Sequence, residues 1–189
     1  MKKSFFAFFI FLSICTFVTA QTPAKQKAVL HSINQIGLAN GSTGSSFLMQ
    51  SILGGSVKQS FAGIGLGIDS YRFRSVPLFV DVRYELSRKL QSLFFYGDIG
   101  YNLPWLTDQQ KSQLQYPVIH VKASLYVDAG LGYRLKIDKD ALLLSIGYSY
   151  KELKNRVNEY ACTGLGCGLA DQTYRYHMPR IVVKAGWQF

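Results

Sequence analysis

Charge is scarce in this sequence, and long apolar runs are missing from nearly all of it. Asp, Glu, Lys and Arg make up 17% of the 189 residues, against about 25% in an ordinary soluble domain, so much of the folded surface need not face water. No stretch after residue 20 holds 18 consecutive apolar residues, which excludes a helical membrane span there. Low-complexity disorder is excluded by abundance, since 48% of the chain is hydrophobic and 14% aromatic. What remains for a chain of one domain's length is a soluble β protein or a β-barrel with an apolar outside.

The first twenty residues read differently from the rest. Met1, Lys2 and Lys3 give a basic start, Phe5 to Val18 a mostly apolar run, and Val18, Thr19 and Ala20 the cleavage positions before Gln21. This is the pattern of a secretory signal peptide over 1–20, followed by a single barrel domain over 21–189. Leu12-Ser13-Ile14-Cys15 resembles a lipid-attachment box, but Ile14 is bulky where a small residue is needed. Cleavage takes Lys2 and Lys3 and no acid, lowering the net charge from +10 to +8. It leaves Cys162 and Cys167 to mature in an oxidising compartment, where an even pair favours a disulfide. The glycines between them allow the tight turn so short a bridge needs, while a metal centre lacks ligands, the nearest histidine being His177.

Several segments alternate between apolar residues and glycine, small or charged ones, the period of a strand with two different faces. Leu125 to Leu135 is the clearest, and Ala62 to Asp69, Leu78 to Leu86 and Ile181 to Phe189 repeat it. Eight strands are predicted, over 28–39, 46–54, 59–70, 75–86, 92–103, 119–136, 141–153 and 173–189. Most are longer than the usual strand of about 5 to 6 residues and match the roughly 9 to 11 needed to cross a bilayer. Connections after even strands are short, whereas 104–118 and 154–172 are long, as in a barrel with turns on one side and loops on the other. The fold expected is an all-β, antiparallel, up-and-down, eight-stranded transmembrane barrel.

The non-apolar faces carry glycines and opposite charges rather than scattered Lys and Glu. Eight strands leave an interior that side chains just fill, so Asp81, Arg83, Glu85, Asp98, Asp128, Arg134 and Lys184 are expected to form an ion-pair network in the lumen, with Gly63, Gly65, Gly67, Gly100, Gly130, Gly132, Gly147 and Gly186 making room. Aromatic girdles are expected from Tyr84, Phe95, Tyr133, Trp187 and Phe189 at one rim and from Tyr71, Tyr101, Trp105, Tyr148, Tyr150, Tyr174 and Tyr176 at the other. Arg72, Arg74, Lys151, Lys154, Arg156, Arg175 and Arg180 gather near the outer rim, where they can contact lipopolysaccharide phosphates or simply be solvated. Thr107 and Gln110 have capping-box spacing for a short helical turn.

With these strands and the ending Ala185-Gly186-Trp187-Gln188-Phe189, the chain resembles the small eight-stranded outer-membrane β-barrels of the OmpA and OmpX type, grouped with the porin-family proteins of Gram-negative bacteria. The resemblance covers all of 21–189. It implies an outer-membrane location, a structural or adhesive role through external loops that meet host or environmental ligands, and Trp187 and Phe189 as the signal read by the barrel-assembly machinery. Membrane lipid and lipopolysaccharide are the partners expected, the chain is expected to be a monomer, and neither enzymatic activity, cofactor nor nucleic acid is expected. The glycines at 63–67 and 164–168 lack the spacing or the Lys of nucleotide loops, and His31, His120 and His177 lie on different predicted strands. A soluble lipocalin-like carrier and a lipid-modifying barrel enzyme are the alternatives.

Overall fold

Alternating side chains demand two environments, and a sheet closed on itself provides them as an inside and an outside. In the computed structural model, residues 28–86, 91–112, 120–163 and 166–189 are described. They form β1 (Val29–Gly41), β2 (Gly44–Val57), β3 (Ser60–Asp69), β4 (Ser75–Glu85), β5 (Gln91–Pro104), α1 (Asp108–Ser112), β6 (His120–Lys122), β7 (Ser124–Ile137), β8 (Asp140–Thr163) and β9 (Gly166–Gln188). Neighbouring strands pair antiparallel in chain order, and β1 pairs with β9 to close the sheet. β6 and β7 lie end to end on β8. Between Lys122↔Lys154 and Tyr126↔Lys151 one side advances four residues and the other three, a one-residue bulge, so the barrel has eight staves.

The stagger follows from the register. Stepping from partner to partner around the wall, Gln188 leads to Ile33, Ile52, Gly65, Phe79, Gly100, Tyr126, Lys151 and back to β9 at Met178. The walk returns ten residues from its start, a shear that tilts eight strands by about 40° and leaves a lumen only side chains wide. One end carries two-residue turns, Lys58-Gln59 between β2 and β3 and Asp138-Lys139 between β7 and β8, with left-handed backbone at Lys58 and Asp138. At the other end β8 and β9 run on together, paired to Thr163↔Gly166. These are called the turn end and the hairpin end.

The expected strands agree with these bounds to within three residues, except at the last two. Residues 154–163 and 166–172 are not a loop but continue β8 and β9 as one ladder. Polar residues hid this, although Leu153 and Val157 face inward at 1% exposure each while Arg156 faces out. Outside, Ile36, Leu38, Phe47, Leu53, Ile64, Val82, Phe95, Ile99, Leu131, Ile146 and Val183 are all about half exposed or more. A wall this apolar far exceeds the patches a soluble protein displays. Tyr84, Phe95, Tyr133 and Phe189 toward the turn end and Tyr101, Trp105 and Tyr148 toward the hairpin end are exposed, but Tyr71 is buried inside the barrel at 1%, correcting its place in the outer girdle.

The lumen is also more apolar than alternation implied. Ile33, Ile52, Phe61, Phe79, Phe94, Tyr96, Tyr126 and Leu143 form one buried cluster, and Ala39, Leu48, Tyr71, Phe73, Leu153, Met178 and Val182 another. Glycines admit the large rings: a Cβ on Gly65 would collide with the Phe79 ring, and one on Gly132 with the Phe94 ring. Gly65→Val should therefore destabilise the barrel by about 1–3 kcal/mol, and adding Phe79→Leu should recover part of that loss. Denaturant unfolding of the single and double variants in detergent checks this, and an additive double variant would contradict it.

Candidate functional site

Strand register stacks carboxylates on neighbouring staves. Asp81 on β4 is the partner of Asp98 on β5, which is the partner of Asp128 on β7, and all three point into the lumen at 2% exposure or less. Like charges so placed repel unless cations answer them. Arg83 forks onto Asp81, with Nε 3.0 Å from Oδ1 and Nη2 3.0 Å from Oδ2. Lys184 Nζ lies 3.0 Å from Asp128 and 3.7 Å from Asp98 and sits over the Tyr96 ring at 4.1 Å.

Neutral groups join these pairs into one connected set. Arg83 Nη2 donates to Gln35 Oε1 at 3.3 Å, Gln35 Nε2 to Gln50 Oε1 at 2.6 Å, and Gln50 Nε2 to the Tyr126 hydroxyl at 2.9 Å. The Tyr96 and Tyr126 hydroxyls donate to the two oxygens of Asp128 at 2.9 and 3.3 Å. Toward the turn end Arg134 pairs with Glu85 at 2.8 Å. All seven residues expected in the lumen thus meet in three groups: Asp81 with Arg83, Asp98 and Asp128 with Lys184, and Glu85 with Arg134.

A second buried cluster, nearer the hairpin end, escaped the sequence reading. Asp69 takes Lys151 at 3.1 Å and a close ion pair from Arg180. Lys151 also donates to the Phe73 carbonyl at 2.8 Å and Ser75 Oγ at 3.2 Å, and Arg180 donates to Ser149 Oγ at 3.2 Å. Arg180 is 2% exposed and Lys151 0%, so their expected place among the lipopolysaccharide-facing cations is wrong. The signal that could have placed Arg180 is parity: along β9, residues 180, 182, 184, 186 and 188 share the inward face with Lys184.

The other rim cations sit outside. The guanidinium of Arg72, on left-handed backbone, lies over Phe73 and Tyr176 at 5.4 and 5.5 Å. That of Arg74 lies over Trp105 at 4.0 Å. Lys154 is 3.2 Å from Glu152 and Arg175 4.0 Å from it, and Arg156 is exposed. Gln110 organises this end: it closes the capping box with Thr107 in both directions, at 3.2 and 3.3 Å, and accepts from the Arg74 backbone N at 3.3 Å. The helix so capped brings Lys111 to 2.8 Å from Asp108, and that hydrogen bond holds the Asp108 carboxyl below its usual range.

At the turn end the chain terminus is fastened. Trp187 Nε1 donates to Asp140 Oδ2 at 3.1 Å, and the Phe189 backbone exchanges hydrogen bonds with Ser32 at 2.9 and 3.3 Å. His31 contacts the Phe189 carbonyl at 3.2 Å, while His177 makes a short contact with the Tyr150 hydroxyl near the hairpin end. The backbone register sets Cys162 opposite Cys167; their side chains lie outside the described residues, as do 1–27. No cluster of three or more His, Cys, Asp or Glu able to hold a metal occurs among the described residues.

No family model matches the chain, and no curated protein matches it. Solved structures do. The chain is similar to neisserial surface protein A, NspA, at 12% identity and TM-score 0.53, covering 86% of this chain and 98% of that one. It is similar to the N-terminal β-barrel domain of Pseudomonas aeruginosa OprF at 8% identity and TM-score 0.51, covering 86% and 100%. The outer membrane protein OprG of Pseudomonas aeruginosa gives 11%, 0.52, 87% and 97%. At these identities the likeness is one of fold, the closed eight-stranded barrel.

The lumen geometry makes a test. Removing one partner of a buried ion pair leaves an uncompensated charge, at a cost of about 3–5 kcal/mol. Lys184→Met should lose that much, and Lys184→Met with Asp128→Asn clearly less, as read by denaturant midpoints in detergent. A double variant that loses the sum of the separate Lys184→Met and Asp128→Asn losses would mean the pair is not coupled.

Proposed function

We propose that this protein is an outer-membrane barrel of a Gram-negative bacterium, with a filled lumen and a structural and adhesive role exercised at the hairpin end. The observation that carries the reading is the distribution of polarity. The outward wall is apolar over its height, while Asp69, Asp81, Asp98, Asp128, Arg83, Lys151, Arg180 and Lys184 are all buried inside. A soluble carrier of the lipocalin type needs the reverse, a charged outside around an apolar binding interior. In hydrocarbon the arrangement is favourable, because closure leaves no strand edge without partners.

The turn end then faces the periplasm, and residues 1–20 direct export before removal. Trp187 and Phe189, next to the last closing pairs with β1, are where the assembly machinery would engage the chain. Recognition falls to the β8–β9 hairpin, whose backbone suits a Cys162–Cys167 bridge: directly opposed antiparallel Cα atoms stand about 4.5–5.5 Å apart, inside the range disulfides span. Arg72, Arg74, Lys154, Arg156 and Arg175 would meet lipopolysaccharide phosphates, since a guanidinium stacked on a ring keeps its in-plane donors. The reading is non-enzymatic. His31 and His177 stand at opposite ends of the barrel, which separates them from any shared reaction centre.

Heat modifiability tests the barrel. The mature chain refolded in detergent should migrate faster unboiled than boiled and should fractionate with outer membranes; a chain soluble without detergent, giving one band, would replace this reading with the carrier. Planar-bilayer recordings should show no steady conductance, and thiol titration of exported protein should find no free cysteine. Replacing Arg72, Arg74, Lys154, Arg156 and Arg175 by Gln should reduce lipopolysaccharide retention several-fold without altering the heat shift.

A further inference from the structure

At the turn end the lumen opens on a basic cavity. Its volume is about 370 Å³, and its charged lining is Lys58, Glu85, Arg134, Lys136, Lys139 and Asp140. Arg134 and Lys136 stand two residues apart on β7, in phase with the buried Asp128 and so on the inward face. The two-residue turns bring Lys58 and Lys139 to the rim, Lys58 on left-handed backbone. Four cations against two carboxylates give this lining a net charge of +2, with His31 beside it counted neutral.

The carboxylates of the cavity are already engaged. Glu85 holds Arg134 Nη2 at 2.8 Å, and Asp140 Oδ2 accepts from Trp187 Nε1 at 3.1 Å. Among the described residues Lys58, Lys136 and Lys139 make no ion pair. Arg134 is itself under-bonded, because its Nε is buried and has no acceptor, and an unmet donor on a charged group is costly. Deeper in the lumen the pattern is different: Arg83, Lys151, Arg180 and Lys184 each meet an aspartate. Positive charge is in surplus only at the mouth.

We propose that this mouth binds a phosphate group, carried by inorganic phosphate or by a small soluble phosphomonoester. Such a group bears close to two negative charges at neutral pH and so cancels the surplus. Its oxygens accept from Lys58, Lys136 and Lys139, and a slight turn of the Arg134 guanidinium toward it gives Nε the acceptor it lacks. The low-dielectric walls of the cavity focus the field of the four cations onto it. Small-molecule sites begin at about 300 Å³, so the volume admits the phosphate and a small organic remainder. The ligand comes from water, because the lining lies inside the ring of staves and lipid meets only the outward wall. A lipid phosphodiester also carries one charge instead of two. The site belongs to the closed barrel itself; only the compartment that supplies the ligand, the periplasm, rests on the membrane reading above.

Isothermal titration calorimetry tests this on the mature chain, refolded in a nonionic detergent and showing its heat shift, with inorganic phosphate, methyl phosphate and dimethyl phosphate as ligands. Phosphate and methyl phosphate should each bind saturably at one site per chain, and the singly charged dimethyl phosphate about tenfold more weakly. Lys58→Gln/Lys136→Gln/Lys139→Gln should weaken methyl phosphate binding by about tenfold. It should keep the heat shift, since all three side chains are exposed. Lys111→Gln/Lys122→Gln, at the hairpin end, should bind as the wild type does. No saturable binding by the heat-shifted wild type overturns the inference, as does a triple variant that binds undiminished. An equal loss in the hairpin-end variant would mark a response to overall charge and overturns the site. Dimethyl phosphate binding as tightly as methyl phosphate overturns the soluble monoester in favour of a lipid headgroup.

Discussion

Pairing between β1 and β9, from Ile33↔Gln188 to Gly41↔Arg180, is the constraint on which everything else rests. Without it the sheet has two edges of unpaired N–H and C=O groups, which neither lipid nor a monodisperse protein in water tolerates. With it, strand number and stagger are no longer free, and the shear of ten sets the tilt and the width of the lumen. The first and last strands are drawn together by the same ladder, so Phe189 finds Ser32 and Trp187 reaches Asp140.

The charges inside the barrel are buried among side chains, so they must answer one another. Four buried aspartates face four buried cations among the described residues, and phenol and amide side chains bridge the gaps. The aromatic rings do two jobs, filling volume above glycines at 65 and 132 and lying beneath cations, as Tyr96 does for Lys184 and Tyr71 for Arg180. Burying a pair adds little net stability compared with an apolar filling, but breaking one is costly. The network therefore fixes one arrangement of the lumen rather than supplying its main cohesion.

Much of this was legible in the sequence, because a strand's period of two is written one residue at a time. Leu125 to Leu135 and Leu78 to Leu86 read directly as an apolar face and a polar one, and from them came five of the seven lumen charges, Asp98 and Lys184 coming from the alternation near Phe95 to Tyr101 and Ile181 to Phe189. Legibility failed where both faces are apolar. In Leu93-Phe94-Phe95 the middle residue turns inward at 2% exposure while its neighbours face out, and no composition rule separates them. It failed again near strand ends, where position outweighed parity: Arg180 was placed on the rim by its nearness to a predicted loop, and Lys151 with it, although both share an alternating face with inward residues. Asp69 was missed for the same reason, closing a strand whose other inward residues are mostly glycine.

The β8–β9 extension has a mechanical consequence. Any pull on the hairpin tip runs along both strands toward the barrel, where β8 is held by β7 and β9 by β1. Force is thus applied parallel to those ladders and is shared by many hydrogen bonds at once, instead of opening them one after another from an edge. On the β8 side the first rungs to take that load are the three pairs of β6, from His120↔Arg156 to Lys122↔Lys154, and the bulge at Ala123 interrupts the ladder just behind them.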